Sequence, residues 1–249
     1  MMKSELIYGR QPVREALKSE KRKVEKLFIM EGAQGKIIEE IKQLSWKRKI
    51  PWEIKDKTFL EELVGKNVNH QGVVLLAQPR ASLTWQEILK KNKTSPEATV
   101  VFVDRVEDPA NLGTIARTAA FFGVGGILIS KARSAPLDSP VVRASAGGIE
   151  SIDIAQINNF TQVIKEFQKA GFWIVALEAD GDKDIWDADL RGMPLGLVVG
   201  GEHEGIRRVV RSSCDMVLRI PSRGVINSLN VAVALGIGIY EVMRQRSTN

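Results

Sequence analysis

Apolar and polar positions alternate along this chain in two rhythms. In the second half, short blocks rich in Val, Ile and Leu recur at Thr99–Val103, Gly126–Ser130, Phe172–Leu177, Leu195–Val199 and Met216–Ile220. Continuous apolar runs of this length suit strands buried on both faces. Between them lie longer stretches with apolar residues every three or four positions: Asn111–Phe122, Phe160–Ala170 and the closing Leu229–Met243. That spacing predicts helices. Strand and helix in alternation predict an α/β domain with a mostly parallel sheet covered on both faces. Ligands of such sheets bind beyond the carboxyl ends of the strands.

Residues 1–78 read as a separate, smaller α/β unit. Val24–Met30, Pro51–Ile54 and Gly72–Ala77 are strand-like, and Lys36–Trp46 carries helical spacing through Ile37, Ile38, Ile41 and Leu44. Residues 79–97 change character. Pro79, Ser82, the KKNK run at Lys90–Lys93 and Pro96 make a polar stretch with one short helix near Trp85–Leu89, expected to be a linker. The domain of interest then runs over residues 98–249.

Composition narrows the class. The chain has 249 residues, 44% of them hydrophobic, enough for a sizeable core. No apolar run reaches the length of a membrane span, and the MMKSELIYGR start lacks the apolar stretch of a signal peptide. The single cysteine, Cys214, excludes an internal disulfide and fits a reducing cytoplasm. Its simplest role is a small buried thiol.

The net charge of +6 is unevenly placed. Residues 1–80 hold 17 Lys/Arg against 11 Asp/Glu, whereas residues 81–249 hold 19 against 19. The excess concentrates in KSEKRKVEK (Lys18–Lys26) and KRK (Lys47–Lys49). A polyanion would be steered to that first part, although charge alone does not separate RNA from DNA.

Three strand ends in the second domain carry candidate chemistry. In DRVEDPANLGTIAR (Asp104–Arg117), Asn111 reads as a helix N-cap and Arg117 as an exposed helical side chain. Six residues of helix separate them by about 600° of rotation, so they share no face if both are helical. In LVVGGEHEGI (Leu197–Ile206), Gly200 and Gly201 would let a ligand approach the backbone, beside Glu202. In IPSRGVINSLN (Ile220–Asn230), Ser228 stands as an N-cap before an apolar helix whose N-terminus offers free N–H groups. Ala232, Ala234, Gly236 and Gly238 leave room for close packing on that helix. Neither GxGxxG nor GxxxxGK[ST] occurs. The two histidines, His70 and His203, have no partners at metal-ligand spacing, so no metal is expected.

Taken together, NLGTIARTA, VVGGEHEGI and IPSRGVINSLNVAVA resemble the three signature motifs of the SpoU/TrmH branch of SPOUT RNA methyltransferases. SPVVRASAG (Ser139–Gly147) is similar to the segment connecting them. IYGRQPVREAL and NHQGVVLLA resemble the substrate-binding domain of that branch's ribosomal guanosine enzymes, itself similar to ribosomal protein L30e. Pro12 and Ala232 depart from the pattern, where His and Ser are frequent.

The resemblance implies a C-terminal trefoil-knotted parallel-sheet domain that dimerises through the knot. It implies S-adenosylmethionine as cofactor, held by the backbone near Gly200, Gly201, Ile220 and Leu229. It also implies 23S rRNA as partner and 2′-O-methylation of a guanosine ribose as reaction. Asn111, Arg117, Glu202, Ser228 and Asn230 become the catalytic set. An arginine's ordinary pKa, above ~12, makes it a poor base; Arg117 is therefore expected to bind the neighbouring phosphate and stabilise the developing alkoxide. Two alternatives stay open: a tRNA enzyme of the same branch, and a non-catalytic RNA-binding assembly factor.

Overall fold

The computed structural model describes residues 4–19, 21–201 and 204–247. In chain order the elements are β1 (Glu5–Tyr8), α1 (Arg10–Ser19), β2 (Val24–Met30), α2 (Lys36–Lys47), β3 (Trp52–Lys55), α3 (Lys57–Val64), β4 (Val73–Ala77), α4 (Trp85–Asn92), β5 (Thr99–Asp104), α5 (Pro109–Phe121) and β6 (Ile127–Ser130). There follow α6 (Ser139–Ala144), α7 (Gly148–Ser151), β7 (Ile154–Ile157), α8 (Phe160–Lys169), β8 (Trp173–Leu177), β9 (Lys183–Asp184), a 3-10 turn at Ile185–Asp187, β10 (Leu195–Gly200), α9 (Arg208–Arg211), β11 (Met216–Arg219) and α10 (Val231–Arg246). Two compact units result. One comprises the residues up to Ala81 with Pro136–Ser151; the other comprises Ser82–Ala135 with the residues from Ile152 onward.

The first unit is a four-stranded sheet in the order β1-β4-β2-β3, parallel only between β2 and β3. Alternation along β2 sends Leu27 and Ile29 to one face and Phe28 to the other. Phe28 packs with Val74 and with Leu60 of α3. Asp56 starts α3 by accepting from the Phe59 N–H at 2.8 Å. Residues 136–151, which follow β6 in sequence, pack with this unit. Arg22 explains the attachment. It is 3% exposed, donates from Nε to both oxygens of Glu150 at 2.9 and 3.0 Å, and pairs with Glu5 at 2.6 Å. Burial pushes the Glu150 carboxyl up, against the pull of Arg22 and Arg80.

The second unit is a seven-stranded parallel sheet, order β7-β6-β5-β10-β8-β11-β9. Phe102, Ile174 and Val198 face a core completed by Phe160, Ile164 and Phe167 of α8. Helices α5 and α10 pack on each other, and α10 also packs on β10 and β8. The expected linker is partly structured and belongs here. Thr84 and Glu87 form a reciprocal capping box that starts α4, and Ile88 enters the core.

Several elements differ from expectation. β1, α1, α3, α6, α7, β7, β9 and α9 have no counterpart in the apolar pattern, being short or half-polar. The order 7-6-5-10-8-11-9 places β10, late in sequence, between β5 and β8. Strand ends far apart in sequence therefore share one rim.

Candidate active site

The rim of β8, β10 and β11 encloses a cavity of about 1050 Å³, at the upper end of the range for small-molecule and cofactor sites. Leu177, Val199, Ile220, Leu229 and Val231 form its apolar wall, with Glu178, Asp180 and Ser228 among its polar groups. The glycines are a steric requirement. A Cβ on Gly200 would collide with the backbone of Gly205 and Ile206, and one on Gly201 with the Arg105 carbonyl. The chain after β10 doubles back on itself here, through a Gly201–Gly205 bridge.

Two carboxylates, one buried and one half-buried, hold the chain that follows that bridge. Asp104, fully buried at the end of β5, accepts from the Arg207 backbone N–H at 3.1 Å and from its Nε at 3.0 Å. The Arg207 Nη2 lies 2.7 Å from Asp104 Oδ1. Glu178, just past β8, accepts from the Ile206 N–H at 2.7 Å and lies 3.4 Å from the Arg211 Nε. Desolvation raises the Glu178 pKa, opposed by the Ile206 hydrogen bond and Arg211. Reading the sequence missed all three of Asp104, Glu178 and Arg207. For Asp104 and Glu178 the available signal was a charged residue closing a continuous apolar strand; Arg207 carried no such signal.

Both helix N-termini near the rim are capped by residues other than those expected. Asp108 caps α5, accepting from the Ala110 N–H at 2.9 Å with Pro109 opening the helix. Asn111 therefore sits inside the first turn. Asn230, not Ser228, caps α10; its Oδ1 accepts from the Ala232 N–H at 2.9 Å and the Val233 N–H at 3.4 Å. The chain stays non-helical through Ser228 and turns helical only at Val231, so the capping oxygen must come from residue 230. The Asn230 Nδ2 donates to the Asn111 Oδ1 at 2.7 Å. One side chain thus caps α10 and joins it to α5, linking positions 119 residues apart.

A second cavity, of about 480 Å³, adjoins the first and shares Gly201, Glu204 and Gly205 with it. Asn111, Arg105, Glu107, Asp108 and Arg133 complete its lining. Arg133 contacts Glu204 at 3.1 Å and Glu107 at 2.8 Å; Arg105 contacts Glu204 at 3.2 Å.

The expected residues are distributed as follows. Gly200, Gly201, Ile220, Leu229, Ser228 and Asn230 line the larger cavity, and Asn111 the smaller. Arg117 lines neither; it is exposed on α5, on the same stripe as Phe121. Glu202 and His203 lie outside the described residues. Cys214 is part-buried, its thiol pushed up to about 12 by desolvation, which makes it a packing residue. His70 is buried, accepts from the Gly72 N–H at 3.1 Å, and has its pKa lowered by burial. Among the described residues no cluster could hold a metal ion, and no helix is long and apolar enough to cross a membrane.

Comparison with known proteins interprets this geometry. Residues 98–240 match the model of the SpoU rRNA Methylase family. This chain belongs to that family. Residues 6–82 match the model for RNA 2′-O ribose methyltransferase substrate binding. A Staphylococcus haemolyticus protein named for the TrmH family of tRNA/rRNA methyltransferases is 36% identical, over 98% of this chain and 97% of its own length. The SpoU methyltransferase AviRb of Streptomyces viridochromogenes, crystallised with AdoMet, superposes with a TM-score of 0.81 at 26% identity, covering 99% of this chain and 91% of that one. An AdoMet-bound rRNA methyltransferase of Sinorhizobium meliloti gives 0.78 at 28% identity, over 97% and 87%.

The chain is an S-adenosylmethionine-dependent RNA methyltransferase, and the larger cavity suits that cofactor. Its apolar wall offers a surface on which an adenosine could pack, and the bare Gly200 lets the Gly205–Ile206 backbone lie directly against the strand end. Glu178 and Asp180 line the cavity as carboxylates, each paired with Arg211.

Proposed function

We propose that this enzyme methylates the 2′-hydroxyl of a guanosine ribose in 23S rRNA, the first unit selecting the RNA. The observation that carries the reading is the Asn230–Asn111 hydrogen bond. It ties the helix beside the cofactor cavity to the smaller basin, so that a nucleotide in the basin would meet the cofactor at their common rim. The match of residues 6–82 to a 2′-O ribose methyltransferase substrate-binding model, and the basic excess within residues 1–80, support the choice of ribose and of RNA.

Bound S-adenosylmethionine supplies an electrophilic methyl group. The protein aligns the ribose oxygen and assists loss of its proton. Asn111 and Asn230 fix the rim, Ser228 and Glu202 orient the ribose, and the backbone at Gly200, Gly201, Ile220 and Leu229 holds the cofactor. Arg117 pairs with the adjacent phosphate and stabilises the alkoxide.

That role requires a second copy, because Arg117 faces away from both cavities. It shares a stripe with Phe121, which is 83% exposed, and α10 presents Val233, Ile237, Tyr240 and Met243 to solvent. A helix apolar on every side is normally covered on every side. A homodimer through α5 and α10 would cover this face and bring Arg117 to the partner's rim. We read the C-terminal segment as a trefoil knot, consistent with Ile220–Ser222 and Ile226–Asn230 bordering one cavity with Gly200, Gly201, Glu204 and Gly205 before α10 returns across β10. The enzyme would work in the cytoplasm.

Mapping 2′-O-methylation in RNA from cells with and without the gene tests the substrate. One 23S guanosine should lose its methyl group. A missing tRNA methyl with intact 23S rRNA would overturn the assignment.

A further inference from the structure

The smaller basin contains an arrangement the reaction as described does not use. Two guanidinium groups converge on one carboxylate. Arg133 reaches both oxygens of Glu204, at 3.1 and 3.3 Å, and Arg105 reaches Oε2 at 3.2 Å. Glu107 holds the Arg133 Nε at 2.8 Å and so fixes the plane of that fork. Asp108, the remaining carboxylate of the lining, is engaged by the Ala110 N–H. Both arginines sit in the left-handed backbone region, at φ 59° and 55°. Such values are unfavourable for residues with a Cβ and concentrate where the surroundings hold a side chain in a required direction.

We propose that Arg105 and Arg133 bind a phosphodiester of the RNA next to the target ribose, and that Glu204 occupies this subsite until the RNA arrives. This rests on the reading of the enzyme as a ribose methyltransferase. A carboxylate presents two anionic oxygens much as a phosphodiester does, and paired guanidinium groups accept either. Replacing Glu204 by a phosphodiester leaves the local charge unchanged. Glu204 is half-exposed and sits on the turn shared by both cavities, so it can swing into water. Glu107 stays to orient Arg133. The basin also contains Asn111, which places the bound phosphate beside the rim where the ribose must lie.

The test compares full-length wild type with Arg105→Ala, Arg133→Ala, Arg133→Lys and Glu204→Gln. A single-stranded oligouridylate is the RNA probe, titrated over a range of salt, and S-adenosylmethionine affinity is measured separately by calorimetry. Each Arg→Ala change should weaken RNA binding at least fivefold and reduce the salt slope by ~0.7, the value for one lost single-strand phosphate contact. Arg133→Lys should fall between, keeping the charge but losing the fork. Glu204→Gln should strengthen RNA binding severalfold, a sign that a merely structural network would not give. The proposal is overturned if Glu204→Gln weakens RNA binding as the arginine variants do. It is overturned equally if those variants spare RNA binding, with or without a loss of cofactor affinity. Failure of the wild type to bind S-adenosylmethionine would instead count against the enzyme reading.

Discussion

Removing Arg207 should destabilise the second unit more than removing its partner Asp104. The two form one ion pair across the loop that walls the cofactor cavity, but their burial is unequal: the Asp104 side chain is 0% exposed and that of Arg207 25%. Arg207→Ala leaves a carboxylate in the interior that, among the described residues, keeps only the residue-207 backbone N–H at 3.1 Å. Orphaning a buried charge costs about 3–5 kcal/mol, and the surviving hydrogen bond places this case near 3. Asp104→Ala leaves a guanidinium that can rehydrate and one unpaired backbone N–H, about 1–3 kcal/mol. The double variant should be more stable than Arg207→Ala alone, since it removes the orphaned charge. Urea denaturation at neutral pH measures all three, provided the slope with denaturant stays constant. The reasoning fails if Asp104→Ala is the more destabilising, or if the double variant is less stable than Arg207→Ala. S-adenosylmethionine affinity should fall in the same order, because the pair positions the loop.

Other expectations follow from the same structure. Glu178 has a raised pKa from desolvation and lines the cofactor cavity with Asp180, Arg208 and Arg211; affinity for the cationic cofactor should rise as pH climbs through that raised value, and Glu178→Gln should flatten the step. For stability the sign is opposite. The folded state retains this proton to higher pH than the unfolded chain, so the stabilising contribution is full below the unfolded carboxylate pKa and declines as pH rises through the folded value. For the proposed homodimer through α10, Ile237→Asp should raise the dissociation constant at least ~30-fold, from about 2 kcal/mol of lost apolar burial, as read by sedimentation. Glu150→Ala, which removes the carboxylate on the Arg22 Nε and leaves Glu5 and the Gln78 carbonyl on its Nη1, should cost about 3 kcal/mol and expose residues 136–151 to proteolysis.

The central sheet was legible because its strands are unbroken apolar runs. Thr99–Asp104, Trp173–Leu177 and Leu195–Gly200 each match a predicted strand within a residue. The long helices were legible from their spacing. The caps were not placed correctly. Ser228 and Asn230 are both capping residues two positions apart, and pattern alone cannot fix a boundary to that precision. The Asp108-Pro109 pair did carry a usable signal, since proline favours the first helical position and so points to the preceding residue as cap. The attachment of 136–151 depends on Arg22 and Glu150, which are 128 residues apart. Local periodicity is silent about such a pair. The same holds for Arg105, Arg133 and Glu204, each of which reads locally as an ordinary surface charge and gains meaning only where three strand ends meet.

The central claim is transfer of a methyl group to a ribose 2′-oxygen, and alkali tests it directly. Alkaline cleavage of RNA requires attack by a free 2′-hydroxyl on the adjacent phosphate, so a 2′-O-methyl group protects one linkage. The purified full chain, given methyl-labelled S-adenosylmethionine and RNA from cells lacking the gene, should leave its label in alkali-resistant dinucleotides. Label released as mononucleotides would show methylation of a base, and would contradict the account.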